Sequence, residues 1–292
     1  MVRFSKYMWL YFMLSALVLV PGVFSLIRFG LRPSIDFTGG TLVELSGSSA
    51  LTPELLSRMA KQGNVPLSYI EKTSSNTFIL RIKPDSEKTI QTYLLSVSAV
   101  ASPAALILRN ETVGPVLGKE LLIKTVGAAV VAIVAILLYV AYAFKNIRFG
   151  VSAVVALFHD LLVVLGIFAI LGKLFRVEVD TLFVTAFLTT MSFSVHDTIV
   201  VFDRIRELLK KGEKLPFDAL CDKAMTETIG RSLTNSFTII FMLLALALMG
   251  GETVRWFVVA LLIGTVSGTY SSPFVATPIL ILWDRWEKRK KA

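Results

Sequence analysis

The sequence has few cysteines and few charged residues for its length. Cys221 is the only cysteine among 292 residues, which excludes an internal disulfide framework and a cysteine cluster for zinc or iron–sulfur binding. Charged residues make up 17% of the chain and hydrophobic residues 54%, with a mean hydropathy of +0.70. A soluble globular domain of ordinary composition is far less apolar. We therefore predict an integral membrane protein.

Signals for soluble ligands are also scarce. The formal charge of +9 could indicate nucleic-acid binding. However, Lys and Arg lie beside the apolar segments, as in membrane proteins that follow the positive-inside rule. The segment GPVLGKE, residues 114–120, resembles a phosphate loop, yet its glycine spacing is one residue short and Glu120 replaces the hydroxyl residue. We expect no nucleic acid, no cofactor, no metal and no enzyme activity.

Six apolar stretches are long enough to cross a bilayer, which takes about 20 residues per helix. They lie near residues 7–27, 122–144, 150–172, 181–202, 232–250 and 254–282. The first could instead be a cleaved signal peptide, but no small-x-small cleavage site follows it closely, and we favour an uncleaved helix.

Basic residues predict the orientation of these spans. They concentrate in segments that fall on one side of six crossings, which places both termini in the cytoplasm. These segments contain Arg3 and Lys6, Lys145 and Arg148, Arg204 to Lys214, and Arg285 to Lys291.

Residues 33–112 form the one substantial polar segment, and their pattern is βαββαβ. That order is typical of a ferredoxin-like α+β domain, with two helices on one face of an antiparallel sheet. We therefore predict a first membrane helix and its exit over 1–32 and an extracytoplasmic domain over 33–112. A five-helix membrane domain over 113–292 should follow, with a cytoplasmic loop at 203–230 and a basic C-terminal tail.

The fourth and fifth spans carry polar faces. In the fourth, Thr185, Thr189, Ser192 and His196 recur at helical spacing, and Thr190, Ser194 and Asp197 form a neighbouring stripe. The fifth span has a similar polar face, formed by Thr228, Arg231, Asn235 and Thr238. Hydrocarbon offers no partners to such groups, so these faces must turn toward other helices or water.

Asp197 and Arg231 are predicted at similar depth on these two antiparallel helices. A carboxylate in the membrane either pairs with a cation or takes up a proton, and Asp197 has both options. The residues alone leave two functions open, a proton relay or a static ion pair between helices. His196 is either an assistant to such a relay or a satisfied packing residue.

Three other acidic residues and one histidine complete the inventory of candidates. Asp160 and His159, deep in the third span, are either a second relay point or a mutually satisfied polar pair, and we favour the pair. Asp203 and Glu207 indicate a solvated continuation of the fourth helix. In the sixth span, Gly264, Ser267, Gly268 and Ser271 have the spacing of a packing face, and Pro273 and Pro278 should bend the helix.

Five segments, in order along nearly the whole chain, resemble motifs of the SecF subunits of bacterial SecD–SecF protein-translocation complexes, relatives of the resistance-nodulation-division transporters. They are IDFTGGT (35–41), VGPVLGKEL (113–121), SVHDTIVVFDRIREL (194–208), TIGRSLTNS (228–236) and GTVSGTYSS (264–272). Pro273 departs from the apolar residue expected after the last of these.

The resemblance implies a multi-pass protein of the bacterial cytoplasmic (inner) membrane. Such a subunit pairs with a six-helix SecD-like subunit beside the SecYEG channel and uses the proton-motive force to help draw preproteins outward. Asp197 and Arg231 match the family's proton-relay residues, and the candidate auxiliary polar residues are His196, Asp160, His159, Asn235 and Thr189.

Two other functions compete with this interpretation. The chain could be a non-conducting scaffold subunit of the same complex. It could also be a self-sufficient proton-driven exporter, although such exporters usually carry larger external domains.

Overall fold

The computed structural model describes residues 3–46, 51–72, 77–100, 106–144 and 146–291. Lys145, one of the basic residues used to predict orientation, lies outside these ranges. The chain divides into two compact units, Met1–Arg32 with Ala128–Ala292, and Pro33–Gly127.

The helices and strands follow one another in this order. The helices are α1 (Met8–Phe29), α2 (Ile35–Thr38), α3 (Pro53–Gln62), α4 (Glu87–Val100), α5 (Pro115–Phe144), α6 (Ile147–Phe175), α7 (Thr181–Lys210), α8 (Phe217–Met249), α9 (Glu252–Ser271) and α10 (Thr277–Lys291). The strands are β1 (Gly40–Ser46), β2 (Leu67–Lys72), β3 (Thr77–Ile82) and β4 (Leu106–Val113).

The unit Pro33–Gly127 contains the predicted ferredoxin-like fold. Its four strands form one antiparallel sheet in the order β2-β3-β1-β4, and α3 and α4 connect them in the βαββαβ pattern. Alternate residues of β1 and β3, such as Val43 and Leu80, are fully buried under the helices. Tyr93 of α4 donates a hydrogen bond to the Leu56 carbonyl at 3.0 Å, and burial raises the pKa of Tyr93 to about 12.

A pair of glycines shapes the entry to β1. Gly39 and Gly40 have φ of +71° and +121°, values that favour glycine. A Cβ at Gly39 would lie 2.8 Å from the Cα of Pro115, and a Cβ at Gly118 would lie 2.8 Å from the Gly39 nitrogen. Gly118 of GPVLGKE therefore lets the start of α5 pack against this turn.

Six helical segments among the described residues are long and apolar enough to cross a membrane, as the sequence predicted. They are Phe4–Phe29, Pro115–Val140, Ile147–Phe175, Thr181–Lys210, Phe217–Met249 and Thr253–Lys290. Helix α9 packs against α6, α7 and α8, and α1 packs against α6.

The predicted cytoplasmic segment 203–230 is mostly helical, and its first part is the continuation of the fourth helix that Asp203 and Glu207 indicate. Helix α7 continues to Lys210 and α8 begins at Phe217, so only residues 211–216 connect them. The physical reason is packing, since Ile205 and Leu208 of α7 and Leu220 and Ala224 of α8 are buried in the same apolar cluster as the membrane helices. A solvated loop would have left these side chains in water.

The sixth span is interrupted at Pro273, where Ser272–Ala276 forms a π-helical turn between α9 and α10. Proline has no backbone N–H and cannot continue the i→i−4 ladder. The N–H of Thr277 instead bonds the carbonyl of Ser272, five residues earlier. The predicted disturbance of this span by proline therefore takes the form of a local π turn, a feature that often occurs at functional sites.

We expect Gly166→Ala to destabilise the protein, because α1 and α6 cross at Gly22 and Gly166. A Cβ at Gly166 would lie 2.7 Å from the Cα of Gly22. Overpacking of this kind costs about 1–3 kcal/mol. Gly150→Ala, in the same helix with open space around it, is the matched control and should be neutral or slightly stabilising. Thermal unfolding in detergent measures both, and equal stability of the two variants would contradict the close crossing.

Candidate intramembrane polar sites

Asp197 lies at the meeting point of α7, α8 and α9. Asp197 is buried, with 8% of its surface exposed. One side of it borders an open cavity of about 550 Å³ between α7 and α8. The other side borders a gap of about 20 Å³ closed by Thr265 and Gly268 of α9. The carboxylate is therefore inside the helical bundle but next to a space that water or another chain can enter.

Arg231 lies on the wall of the same cavity, in α8, together with His196, Ser232 and Asn235. Arg231, Asn235 and His196 are exposed, whereas Asp197 is buried. Within the described part of the chain, Asp197 and Arg231 form no ion pair, and the side chain of Ser232 is the hydrogen-bonding neighbour of Asp197. The structure thus brings the two predicted relay residues to one cavity without joining them.

Thr189, another predicted auxiliary residue, does not line this cavity. Its hydroxyl donates to the carbonyl of Thr185 at 2.7 Å, one turn earlier in α7. Thr234 and Thr238 of α8 bond back along their own helix in the same way. A threonine hydroxyl in a membrane helix can donate its hydrogen bond to a carbonyl of the same helix. A row of threonines in the sequence therefore does not mean that all of their hydroxyls are available to bind a proton or a ligand.

Asp160 forms a second polar site, within α6, and it is almost completely buried. Its Oδ1 accepts from Ser267 Oγ at 2.6 Å and lies 3.0 Å from His159 Nδ1. Its Oδ2 accepts from Ser194 Oγ and from Ser271 Oγ, both at 2.6 Å. The His159–Asp160 pair that we favoured is present, but it is the centre of a larger cluster that joins α6, α7 and α9.

Helix α1 also reaches this cluster. Nε2 of His159 lies 3.1 Å from Ser15 Oγ, and Ser15 Oγ lies 3.5 Å from the hydroxyl of Tyr270. Tyr270 donates to the carbonyl of Tyr11 at 2.7 Å. Ser15 and Tyr270 were not predicted from the sequence, and Ser267 and Ser271 were predicted to belong to a packing face. The available signal was two serines four residues apart on a helix, which present both hydroxyls to one neighbour.

Charged residues beyond the apolar parts of α7 and α8 pair with one another. Arg204 bonds Glu227 at 2.6 Å and also contacts Glu207, and Arg285 bonds Asp218 at 2.5 Å. The Asp203 side chain is 77% exposed. Among the described residues, no group of three or more His, Cys, Asp or Glu side chains could hold a metal ion.

Two protein-family models match this chain. The one described as "Protein export membrane protein SecD/SecF, C-terminal" matches residues 94–286, and the SecD/SecF GG motif matches residues 24–50. The second match includes the glycine pair at the entry to β1.

Individual relatives and a solved structure agree with the family models. The protein translocase subunit SecF of Thermobaculum terrenum is 39% identical over 97% of this chain and 94% of its own length. That of Anaerolinea thermophila is 36% identical over 96% of this chain and 94% of its own. The crystal structure of SecDF from Thermus thermophilus, titled a translocon-associated membrane protein, matches with a TM-score of 0.86 at 31% identity, over 97% of this chain and 39% of that one.

The glycine turn, the six spans with their small α+β unit and these matches over nearly the full length have one explanation: the chain is a multi-pass membrane protein that belongs to the SecD/SecF family of protein export membrane proteins.

Proposed function

We propose that this chain is a SecF subunit that, with a SecD-like partner, uses the proton-motive force to assist preprotein translocation through a SecYEG channel. The role in protein translocation has the support of relatives named protein translocase subunit SecF. The proton-motive step rests on one observation, the shared cavity of Asp197 and Arg231.

The geometry suits a relay better than a static pair. A permanent ion pair would hold the carboxylate charged and would leave little reason for an open cavity of about 550 Å³ beside it. An unpaired buried carboxylate can instead take a proton, and an arginine on the same wall can favour its release when the two approach. One charge moved across 100 mV gains about 2.3 kcal/mol, comparable to the cost of burying a charge in a membrane helix.

A six-helix partner is part of this proposal. None of the most apolar 18 residues of α5 is buried within the chain, and Arg231 and Asn235 are exposed on α8. An arginine facing hydrocarbon at mid-membrane costs about 2.5–3.5 kcal/mol on insertion scales, so a protein surface or water should lie against this part of α8. This chain covers 39% of the Thermus thermophilus SecDF chain, so the rest of that polypeptide is long enough to contain such a partner.

The proposed orientation places both termini in the cytoplasm and the domain 33–112 outside the membrane. Basic residues support it, since the charged ends of α7, α8 and α10 lie together and contain the pairs Arg204–Glu227 and Arg285–Asp218.

We expect Asp197→Asn to abolish gradient-stimulated translocation while the complex still assembles. Asparagine keeps the size and much of the hydrogen bonding of Asp197 but cannot bind and release a proton. Inverted vesicles that contain the purified complex allow proton flux and translocation to be measured together. Asp203→Asn, at an exposed carboxylate of the same helix, is the matched control and should behave as the parent.

Normal gradient-stimulated translocation in Asp197→Asn would contradict the relay. It would favour the non-conducting scaffold instead. Translocation by this chain without any partner would favour a self-sufficient exporter.

Arg231→Ala should lose the same activity, because no cation would then favour the ionised form of Asp197 during the cycle. Arg231→Lys should recover part of it, since lysine restores the charge without the planar geometry of the guanidinium. Proton flux in the same vesicles measures both. Equal loss of proton flux in the two variants would show that a positive charge alone at position 231 does not support the relay.

Cysteine labelling tests the orientation after replacement of the buried Cys221. We expect a membrane-impermeant maleimide added to spheroplasts to label Lys61→Cys in the domain 33–112. Lys211→Cys, between α7 and α8, should react only after the membrane is permeabilised. The opposite pattern would overturn the proposed orientation.

A further inference from the structure

We propose that His159 and Asp160 form a second proton-binding site within the membrane, in which Asp160 is ionised and the proton resides on His159 as an imidazolium. The assignment of this proton rests on the geometry of the cluster. Its use in transport rests on the proposed function.

The hydrogen bonds around Asp160 fit an ionised carboxylate. Each of its two oxygens has two donor partners, Ser267 and His159 at Oδ1, and Ser194 and Ser271 at Oδ2. An ionised carboxylate has about four acceptor positions, so all are filled. The three hydroxyl contacts measure 2.6 Å, within the range of roughly 2.5–2.7 Å that is typical of O–H donors on a charged acceptor.

A buried negative charge then needs a compensating positive charge. Asp160 is 4% exposed and His159 is 8% exposed. Among the described residues, His159 is the one base that contacts Asp160. Tyr270 of α9 also faces the pair, because its ring stacks on that of His159, and a phenol is uncharged at neutral pH. Asp197 of α7 follows one turn after Ser194 and borders the opposite side of α9. The pair is neutral overall only if His159 carries a proton at both nitrogens.

The contacts on the far side of His159 fit this doubly protonated state. Tyr270 uses its hydrogen on the Tyr11 carbonyl, so its oxygen is available as an acceptor. With an imidazolium, Nε2–H donates to Ser15 Oγ and the Ser15 hydroxyl donates to Tyr270, and every hydrogen has an acceptor. With a neutral ring, the Ser15 hydroxyl turns to donate to Nε2. Rotation of one hydroxyl therefore accommodates the arrival or departure of the proton.

Helix α9 connects this site to the cavity of Asp197. Ser267 and Ser271 bind Asp160 from one face of α9, while Thr265, Gly268 and Thr269 border the Asp197 carboxylate from another. The π turn Ser272–Ala276 begins directly after Ser271. The charge state of the pair thus acts on the helix that closes one side of the proposed relay.

The chain has only two histidines, which makes the proposal directly measurable. His196→Gln leaves His159 as the single histidine, and ¹⁵N solid-state NMR of the labelled protein in liposomes then reports this ring alone. We expect both ring nitrogens to be protonated at neutral pH. A neutral imidazole in this protein would overturn the proposal, including the case in which Asp160 holds the proton and donates it to Ser271.

Variants in the same background identify the partner of the proton. Asp160→Asn should convert His159 to the neutral ring at neutral pH, while the control Asp203→Asn should retain the imidazolium. An imidazolium that persists in Asp160→Asn would contradict the pair. If Asp160→Asn does not fold, Tyr270→Phe serves instead, because it removes the acceptor beyond Ser15 and should make the ring lose its proton at lower pH than in the parent. An unchanged titration would contradict the proposed path.

These measurements report the protonation state of the His159 ring and do not depend on transport activity. A failure of Asp197→Asn to affect translocation would therefore reject the proposed function without bearing on the proton at His159. A neutral His159 would reject the second site and leave the relay at Asp197 intact.

Discussion

Hydrocarbon supplies no hydrogen-bond partner, and each polar group in the membrane helices is arranged under this constraint. Threonines of α7 and α8 bond back along their own helices. Asp160 collects four donors from its own and two other helices. Asp197 has fewer polar neighbours and lies beside an open cavity. The two carboxylates therefore differ in kind, since one is fully satisfied within the chain and the other is accessible to groups from outside it.

Helix α9 makes both arrangements possible because its small residues let neighbours approach. A Cβ at Gly264 would overlap the side chain of Thr190, and a Cβ at Gly268 would lie 3.1 Å from the Cα of Ser194. Between these glycines, Ser267 turns toward Asp160. Close packing of α7 on α9 and hydrogen bonding of Asp160 are thus consequences of the same short segment, and a larger residue in it would disturb both.

Much of this protein could be predicted from its sequence. Hydrophobic length and the distribution of Lys and Arg predicted six spans, and alternating patterns predicted the βαββαβ unit, because both signals are local and periodic. The start of α8 at Phe217, well before its apolar run, was not predicted, since helix ends beyond the apolar run depend on what the helix packs against. Ile205 and Leu220 look ordinary in sequence and are buried only because their helices meet.

The sequence by itself determined that ionisable residues lie within membrane-length helices, and that each would need a partner. Which partners they have was decided by the tertiary structure. His159 and Asp160 are adjacent in sequence, but their other partners, Ser15, Ser194, Ser267 and Ser271, come from three different helices. Asp197 and Arg231 were predicted at similar depth on neighbouring helices, and in the described residues they share a cavity without an ion pair. Helical periodicity determines the face of the helix on which a residue lies. The residues that this face contacts depend on the angle at which the helices cross and on the depth of each residue in the membrane.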